Sequence, residues 1–357
     1  MRCPVGVGEA VNKRKLHELD LFCRAGMGLE PIAPVVCRLL RELVGAEAAS
    51  LFWMDERGMP AGFHHEDSPD SARDLFINEF ERLFVGEHEI NVHALARYTG
   101  SAMGKLLTAD AAYFKSNTFN MLVRPSGHHH ALDLRVELDG KPRLIVLLFR
   151  GERQPFRSGD AKVLALTEAS LRRAVASPPD SGEWRSDGRR GYLIVSGDDS
   201  RITLMGGDAT AILRNVNLVG QGVRLDSPIT LPPLFVRQAC ALAATEDRPV
   251  HRAMVVPTGR LQMVAEPLRA PAQPGAGSSV LVSLELHVPA RLSKVEHVIA
   301  AGLSPLQQRI ALVAAAGGSR QDSLNTLGLS NEALKKHLAV VYERFAVNGW
   351  EALSRAI

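Results

Sequence analysis

The sequence predicts an α+β chain of several domains: two mixed domains, each on an antiparallel sheet, and then a small all-helical one. Three observations carry this. Strand-like runs punctuated by turn residues fall into two groups, separated by Ser177-Pro178-Pro179-Asp180-Ser181-Gly182. Stretches with apolar residues at helical spacing precede, interrupt and follow the first group. From Leu303 to Ile357 only short helical patterns remain, each opened by a cap residue and stopped near glycine. A chain of 357 residues has room for two or three domains of ordinary size.

The first domain is expected over 16–176. Pro34–Val44 reads as an amphipathic helix stopped by Gly45, and Ala48–Met54 and Met59–His65 as strands joined by Asp55-Glu56-Arg57-Gly58. Helical patterns fill Asp70–Val85 and Ala109–Val123. Ala131–Leu138 and Arg143–Arg150 then form a hairpin across Asp139-Gly140-Lys141-Pro142. One long helix, Ser158–Val175, closes the unit, and residues 177–189 read as a linker.

The second domain is expected over 190–288. Gly191–Ser196 and Arg201–Met205 are strands around the turn Gly197-Asp198-Asp199-Ser200, followed by helices at Asp208–Arg214 and Leu234–Thr245. Arg252–Val256, Arg260–Leu268 and Ser279–Val288 complete the sheet, with Ala270–Gly277 as a flexible loop between the last two. Leu292, Val295, Val298 and Ile299 mark a connecting helix over 289–302.

The last segment, 303–357, is read as three helices. Ser304-Pro305-Leu306-Gln307 is a capping box with proline at the first helical position. That helix stops at Gly317-Gly318; a shorter one runs from Ser319-Arg320-Gln321-Asp322 to Gly328. Leu329-Ser330 opens the third, in which Leu334, Leu338, Val341 and Phe345 form one inward stripe opposite Lys335, Lys336, Ala339 and Glu343. Two helices around a glycine turn, the second longer and lysine-bearing, have the form of a helix-turn-helix.

Specific residues carry three resemblances. Leu303-Ser304-Pro305, Gly317, Leu327-Gly328-Leu329-Ser330, Leu334-Lys335-Lys336-His337-Leu338 and Val341-Tyr342 make 303–357 resemble the LuxR-type helix-turn-helix family. The chain departs from that family's pattern at Gln307 (usually glutamate), Ser323 (usually apolar), Ala333 (usually threonine) and Ala339 (often basic). Gly45-Ala46, Ala49-Ser50-Leu51-Phe52, Phe149-Arg150, Pro155-Phe156 and Asp160 resemble stretches of GAF-type sensor domains. The second domain resembles a PAS-type fold, with Gly207 where asparagine is usual before the Asp208–Arg214 helix. The first two parts would then be GAF-like and PAS-like α/β sensors.

By resemblance, the third helix lies in the DNA major groove. The DNA-contacting set would be Ser319, Arg320, Gln321, Ser330, Asn331, Glu332, Lys335, Lys336, His337 and Ala339, with packing an equal alternative for His337. The implied function is sequence-specific transcriptional regulation, with double-stranded DNA and RNA polymerase as partners and a small molecule or protein as effector. Six Lys/Arg against four Asp/Glu in 303–357 is a thin basic surplus, which favours a homodimer on paired half-sites. The rival reading is a protein-interaction regulator whose altered helix-turn-helix no longer binds DNA.

Composition excludes several classes. Hydrophobic content of 46% with 23% charged residues is globular, and a formal charge of +3 does not by itself imply a polyanion partner. Cys3, Cys23, Cys37 and Cys240 form no CxxC pair, so a disulfide scaffold is not expected. No run approaches a bilayer-spanning length and no signal-peptide core opens the chain, so it is expected to be cytoplasmic and without a membrane partner. Phosphate-loop, nucleophile-elbow and HExxH patterns are missing, so no catalysis and no cofactor are expected.

His128-His129-His130 with His64-His65 raises metal binding. Strand alternation would put His128 and His130 with Leu132, Leu134 and Val136, and His129 with Asp133 and Arg135. One ligand from each strand could converge, but pocket lining or packing is preferred and no metal site is assigned. Trp53, Tyr113, Phe114 and Phe119 are read as core before pocket, and Cys23 and Cys37 as buried structural thiols.

Overall fold

Two antiparallel sheets followed by a helical cluster make up the computed structural model, which describes residues 12–87, 89–177, 182–225, 228–269 and 279–357. Residues 178–181 of the expected linker and the Ala270–Gly277 loop lie outside the described residues.

The first domain begins with α1 (Lys13–Arg24) and α2 (Ala33–Val44), the latter ended by Gly45 in the left-handed conformation at φ +68°. Strands β1 (Ala48–Met54) and β2 (Pro60–His65) follow, then α3 (Asp70–Leu83) and α4 (Val92–Arg97), a short helix with no counterpart among the expected elements. Strands β3 (His130–Leu138) and β4 (Lys141–Arg150) form the expected hairpin, and the sheet order is β2-β1-β4-β3.

Two expected helices are broken. Over 109–123 there is no continuous α-helix, only short turns at Tyr113–Lys115 and Thr118–Val123. The Asp110 carboxylate accepts from the Ala112 and Tyr113 amides, and the Ser116 hydroxyl donates to the Tyr113 carbonyl and accepts from the Phe119 amide. Local side-chain bonds thus replace helical ones. The closing helix is split into α5 (Ser158–Ala165) and α6 (Glu168–Ala176) at Thr167, whose buried hydroxyl donates to the Leu164 carbonyl at 2.7 Å.

Both faces of this sheet are covered. Leu144, Val146 and Leu148 of β4 pack with Leu132, Leu134 and Val136 against a layer that includes α1, α2, α5 and α6. Ile145, Leu147 and Phe149 face the other way, into an aromatic cluster with Phe52, Phe63, Phe76 and Phe80.

The second domain starts earlier than expected. Strand β5 (Trp184–Ser196) occupies much of the supposed linker because its first residues already pair with β9, Trp184 opposite Pro289. Strand β6 (Ile202–Gly207), helices α7 (Ala209–Arg214) and α8 (Leu234–Glu246), and strands β7 (Val250–Val256), β8 (Gly259–Leu268) and β9 (Ser279–Pro289) complete a sheet of order β6-β5-β9-β8-β7. Its burial alternates along β8 and β9, so one face is packed, with α7 and α8 supplying apolar side chains to that cluster.

The two domains meet at a backbone seam. Phe63 N–H donates to the Asn217 carbonyl at 3.0 Å, and Val219 N–H to the Ala61 carbonyl at 3.0 Å. Buried Asp74 of α3 accepts from the Leu225 amide at 2.7 Å and from Arg224 at 3.1 Å.

Helix α9 (Ala290–Ala300) leads from β9 into α10 (Pro305–Ala315), α11 (Arg320–Leu327), α12 (Asn331–Arg344) and α13 (Trp350–Ala356). The last is a fourth helix beyond the three expected. Trp350 of α13 donates its indole N–H to the Gly318 carbonyl at 2.7 Å, tying the helix to the α10–α11 turn.

Candidate functional site

Two places concentrate polar chemistry on a built framework: a small cavity in the first domain and the outer face of α12.

The cavity, about 60 Å³, lies on the aromatic side of the first sheet. Phe52, Phe63, Phe76, Leu147 and Phe149 form its apolar wall, and His65, Arg73, Asn91, Tyr113 and Thr118 bring polar groups to it. Asn91 and Arg73 are fixed by their own bonds. Asn91 caps α4 by accepting from the His93 and Ala94 amides, and its amide donates to the Phe84 carbonyl. Arg73 is held by Asp70 and by the second domain, through the Arg214 carbonyl and the Asn217 side chain. Burial raises the Tyr113 hydroxyl pKa, and the Asp133 charge adds to it.

Asp133 and Arg135, on the same sheet face, hold the covering segments. Asp133 accepts from the Lys105 and Leu106 amides, the latter at 2.6 Å, while Arg135 donates to the carbonyls of Leu95 and Tyr98. Strand alternation placed these two on a common face but gave them no role.

At the cavity edge, His65, Asp67 and His128 converge. His128 Nε2 lies 3.1 Å and His65 Nδ1 3.3 Å from the same Asp67 carboxylate oxygen. Both imidazoles stack on Phe149, with centroids at 5.0 and 5.4 Å. The expected grouping of His128 with Leu132 does not hold. The strand begins only at His130, and Gly127 at φ +79° turns the preceding chain, so His128 lies with Phe149 on the cavity side. His129 stacks on Phe114 at 5.0 Å, and His130 bonds the Glu152 carbonyl, so neither joins the cluster. Asp67 was not singled out in the sequence; only its place two residues past His65 could have flagged it.

The electrostatics of the trio are defined. Burial pushes the His65 pKa down, partly offset by Asp67. Burial alone would raise Asp67, but hydrogen bonds and charge from His128 and His65 outweigh it and hold the carboxyl well below its usual range. Of the aromatic candidates, Tyr113 lines the cavity, Phe114 and Phe119 pack beside it, and Trp53 is on the opposite face among aliphatic residues. Burial pushes Cys23 up to about 12 and Cys240 up to about 11, and Cys37 well above normal, so these thiols are poor nucleophiles.

In the helical segment, three caps form as the sequence implies. The Ser304 amide donates to Gln307 at 2.9 Å, Ser319 exchanges bonds with Asp322, and the Ser330 hydroxyl accepts from the Ala333 amide. Leu334, Leu338 and Val341 are buried, and Lys335, Lys336, Ala339 and Glu343 are exposed on α12. Arg320, Gln321, Asn331 and Glu332 are exposed as well, whereas His337 is half-buried. Ser319 and Ser330 already spend their hydroxyls on capping. Ser323 is fully buried with no hydrogen-bond partner for its hydroxyl.

The opposite side of this segment rests on the first domain. His17 of α1 bonds Gln308 of α10 at 2.9 Å, and Arg291 of α9 donates to the Ala25 carbonyl at 3.3 Å, while Lys294 ties α9 to α10 through the Ala315 carbonyl at 2.9 Å. A cleft of about 420 Å³ lies along this junction, lined by Arg24, Arg173, Arg291, Lys294 and Arg309.

No family model and no curated protein matches the chain. Two similar solved structures are a crystal structure of the E. coli DhaR(N)–DhaL complex and the sensor region of a sensor histidine kinase. Each is 13% identical with a TM-score of 0.19. They cover 80% and 78% of this chain and 91% and 92% of their own. At that score neither carries an argument about this chain. No helix among the described residues is long and apolar enough to cross a membrane.

Proposed function

We propose that the chain is a transcriptional regulator in which two sensor domains of GAF-like and PAS-like type govern a LuxR-type DNA-binding head. The observation that carries this reading is the disposition of α12. Leu334, Leu338 and Val341 of its apolar stripe are buried, its N-terminus is capped, and Lys335 and Lys336 face outward, while α10 on the far side bonds to the first domain. A helix presented this way suits the major groove, with the lysines on phosphates or base edges. Residues 319–321 stand at the start of α11, with Arg320 and Gln321 exposed, near enough in sequence to the α12 turn to meet the DNA backbone.

The sensor side fits the same reading. The cavity touches α3, and α3 holds the second domain through Asp74, so a ligand that shifts α3 would be felt across the seam. Helix α9 is the covalent path onward to the head and also bonds to the end of α1. The thin basic surplus of 303–357 favours action as a homodimer on paired half-sites.

A second reading keeps the fold but replaces DNA by protein. Ala339 and Val340, the latter 43% exposed, put apolar surface on the outer face of α12, where a partner could dock.

Selection of genomic DNA fragments by the purified full-length protein at two salt concentrations separates the readings. The regulator should recover a palindromic site with steep salt dependence. Replacing Lys335 and Lys336 by alanine should lower the log–log salt slope by roughly 1 for each phosphate that a protomer no longer neutralises. Failure to enrich any fragment, with the protein folded, would move the weight to the protein-docking reading.

A further inference from the structure

We propose that His65, Asp67 and His128 form a binding site for a divalent first-row transition-metal ion at the edge of the first domain's cavity. This is the one group among the described residues in which three metal-ligating side chains converge, with their donor atoms all within 4.8 Å of one another. Tetrahedral coordination at about 2.1 Å puts donors roughly 3.4 Å apart, so small side-chain rotations suffice to close the set.

Three features distinguish the trio from a chance surface cluster. The donors come from two stretches far apart in sequence: His65 and Asp67 from the end of β2 and just past it, and His128 from the turn before β3. The two rings are positioned before any ion arrives, since both stack on Phe149 and are themselves stacked at 6.2 Å. The side chain of His128 is only 3% exposed and that of His65 10%, while Asp67 at 45% leaves a way in from solvent. A site with buried imidazoles and one accessible carboxylate resembles a preorganised ligand set with an entry path.

The donor types narrow the ion. Two imidazoles and one carboxylate suit Zn(II), Fe(II), Co(II) or Ni(II) and are too nitrogen-rich for calcium or magnesium. Three protein ligands leave at least one position open, as in sites that take an exogenous ligand. His65 lines the cavity, so that position would lie next to the apolar wall of Phe52, Phe63 and Phe149. Metal binding itself stands independently of DNA binding. Only the further step, that occupancy alters the head, rests on the proposed regulator.

The alternative is a purely structural role, in which Asp67 bridges two histidines to pin the chain after β2. The two are separated by titrating untagged, chelator-treated full-length protein with Co(II) and reading ligand-field absorption, followed by displacement with Zn(II). The proposal expects one equivalent per chain with the absorption of a nitrogen- and oxygen-ligated site. Removing a metal's outer partner typically weakens binding ~10–100-fold, so loss of a ligand in His128→Ala or Asp67→Asn should weaken it at least ~100-fold. Asp67→Asn keeps the shape at a half-exposed position and guards against a misfolded His128 variant. His130→Ala, outside the trio, should bind as the parent does. Absence of stoichiometric Co(II) binding, or equal binding by the parent and the folded Asp67→Asn variant, would overturn the site. Because these readouts need no DNA, they fail separately from the regulator reading.

Discussion

The two sheets use the same antiparallel pairing and differ in how many faces they bury. In the first, β1 is buried at every position and β4 from Leu144 to Phe149, because helices cover one side and the aromatic cluster with α3 covers the other. In the second, burial alternates, and Tyr192 and Leu204 remain 48% and 64% exposed. Two-sided cover can enclose a cavity and desolvate histidines. One-sided cover leaves a broad polar face, with Arg190, His251, Arg252, Gln262 and Glu285 along it. The first sheet is therefore the place for a small ligand or ion, and the second offers a surface.

The sharpest way to break this comparison is a matched pair of truncations. Leu148→Ala on β4 should cost ~2–5 kcal/mol, since a fully buried leucine leaves a cavity its neighbours cannot fill. Leu281→Ala on β9, which is only half-buried, should cost less than ~1 kcal/mol. Urea unfolding of both variants reads the difference, and similar costs would mean that something covers the second sheet's outer face.

The burial difference was legible before the structure. Leu144-Ile145-Val146-Leu147-Leu148-Phe149 is an unbroken apolar run, as a strand covered on both faces requires. Val280, Val282, Leu284 and Leu286 alternate with Leu281, Ser283, Glu285 and His287, as one-sided cover requires. The caps of α10, α11 and α12 were equally legible, because capping is local. What escaped the sequence depends on local competition or on distance. Asp110 and Ser116 outbid the helix expected over 109–123, and Thr167 splits the long closing helix. Gly127 turned His128 toward Phe149 against simple alternation. Asp67 gained meaning only when β2 and the turn before β3 were neighbours in space.

A smaller effect tests where the covering of the first domain ends. Asp74 holds the Leu225 amide and Arg224, so the second domain's 215–225 segment serves as part of the first domain's cover. Asp74→Ala leaves the buried amide without an acceptor, and about 1–3 kcal/mol should be lost. The loss should fall on the seam, so scanning calorimetry should resolve a single transition of the parent into two. One transition at the parent temperature would show that the seam adds nothing to the cover.

The mildest test uses pH. His64 is on the first sheet opposite Leu51, and burial, aided by the charges of His65 and Arg73, pushes its pKa from 6.5 down to about 4. The unfolded chain takes up that proton more readily than the folded one, so the neutral imidazole's contribution is intact above pH 6.5 and is lost as pH falls toward 4. By about pH 5.5 the loss from this one group should be roughly 1 kcal/mol. His64→Gln should flatten the stability curve across that window by about this amount. If His64→Gln leaves the curve unchanged, the two-sided sheet does not desolvate its histidine, and the contrast between closed and open sheets fails at the point where it bears most on ligand chemistry.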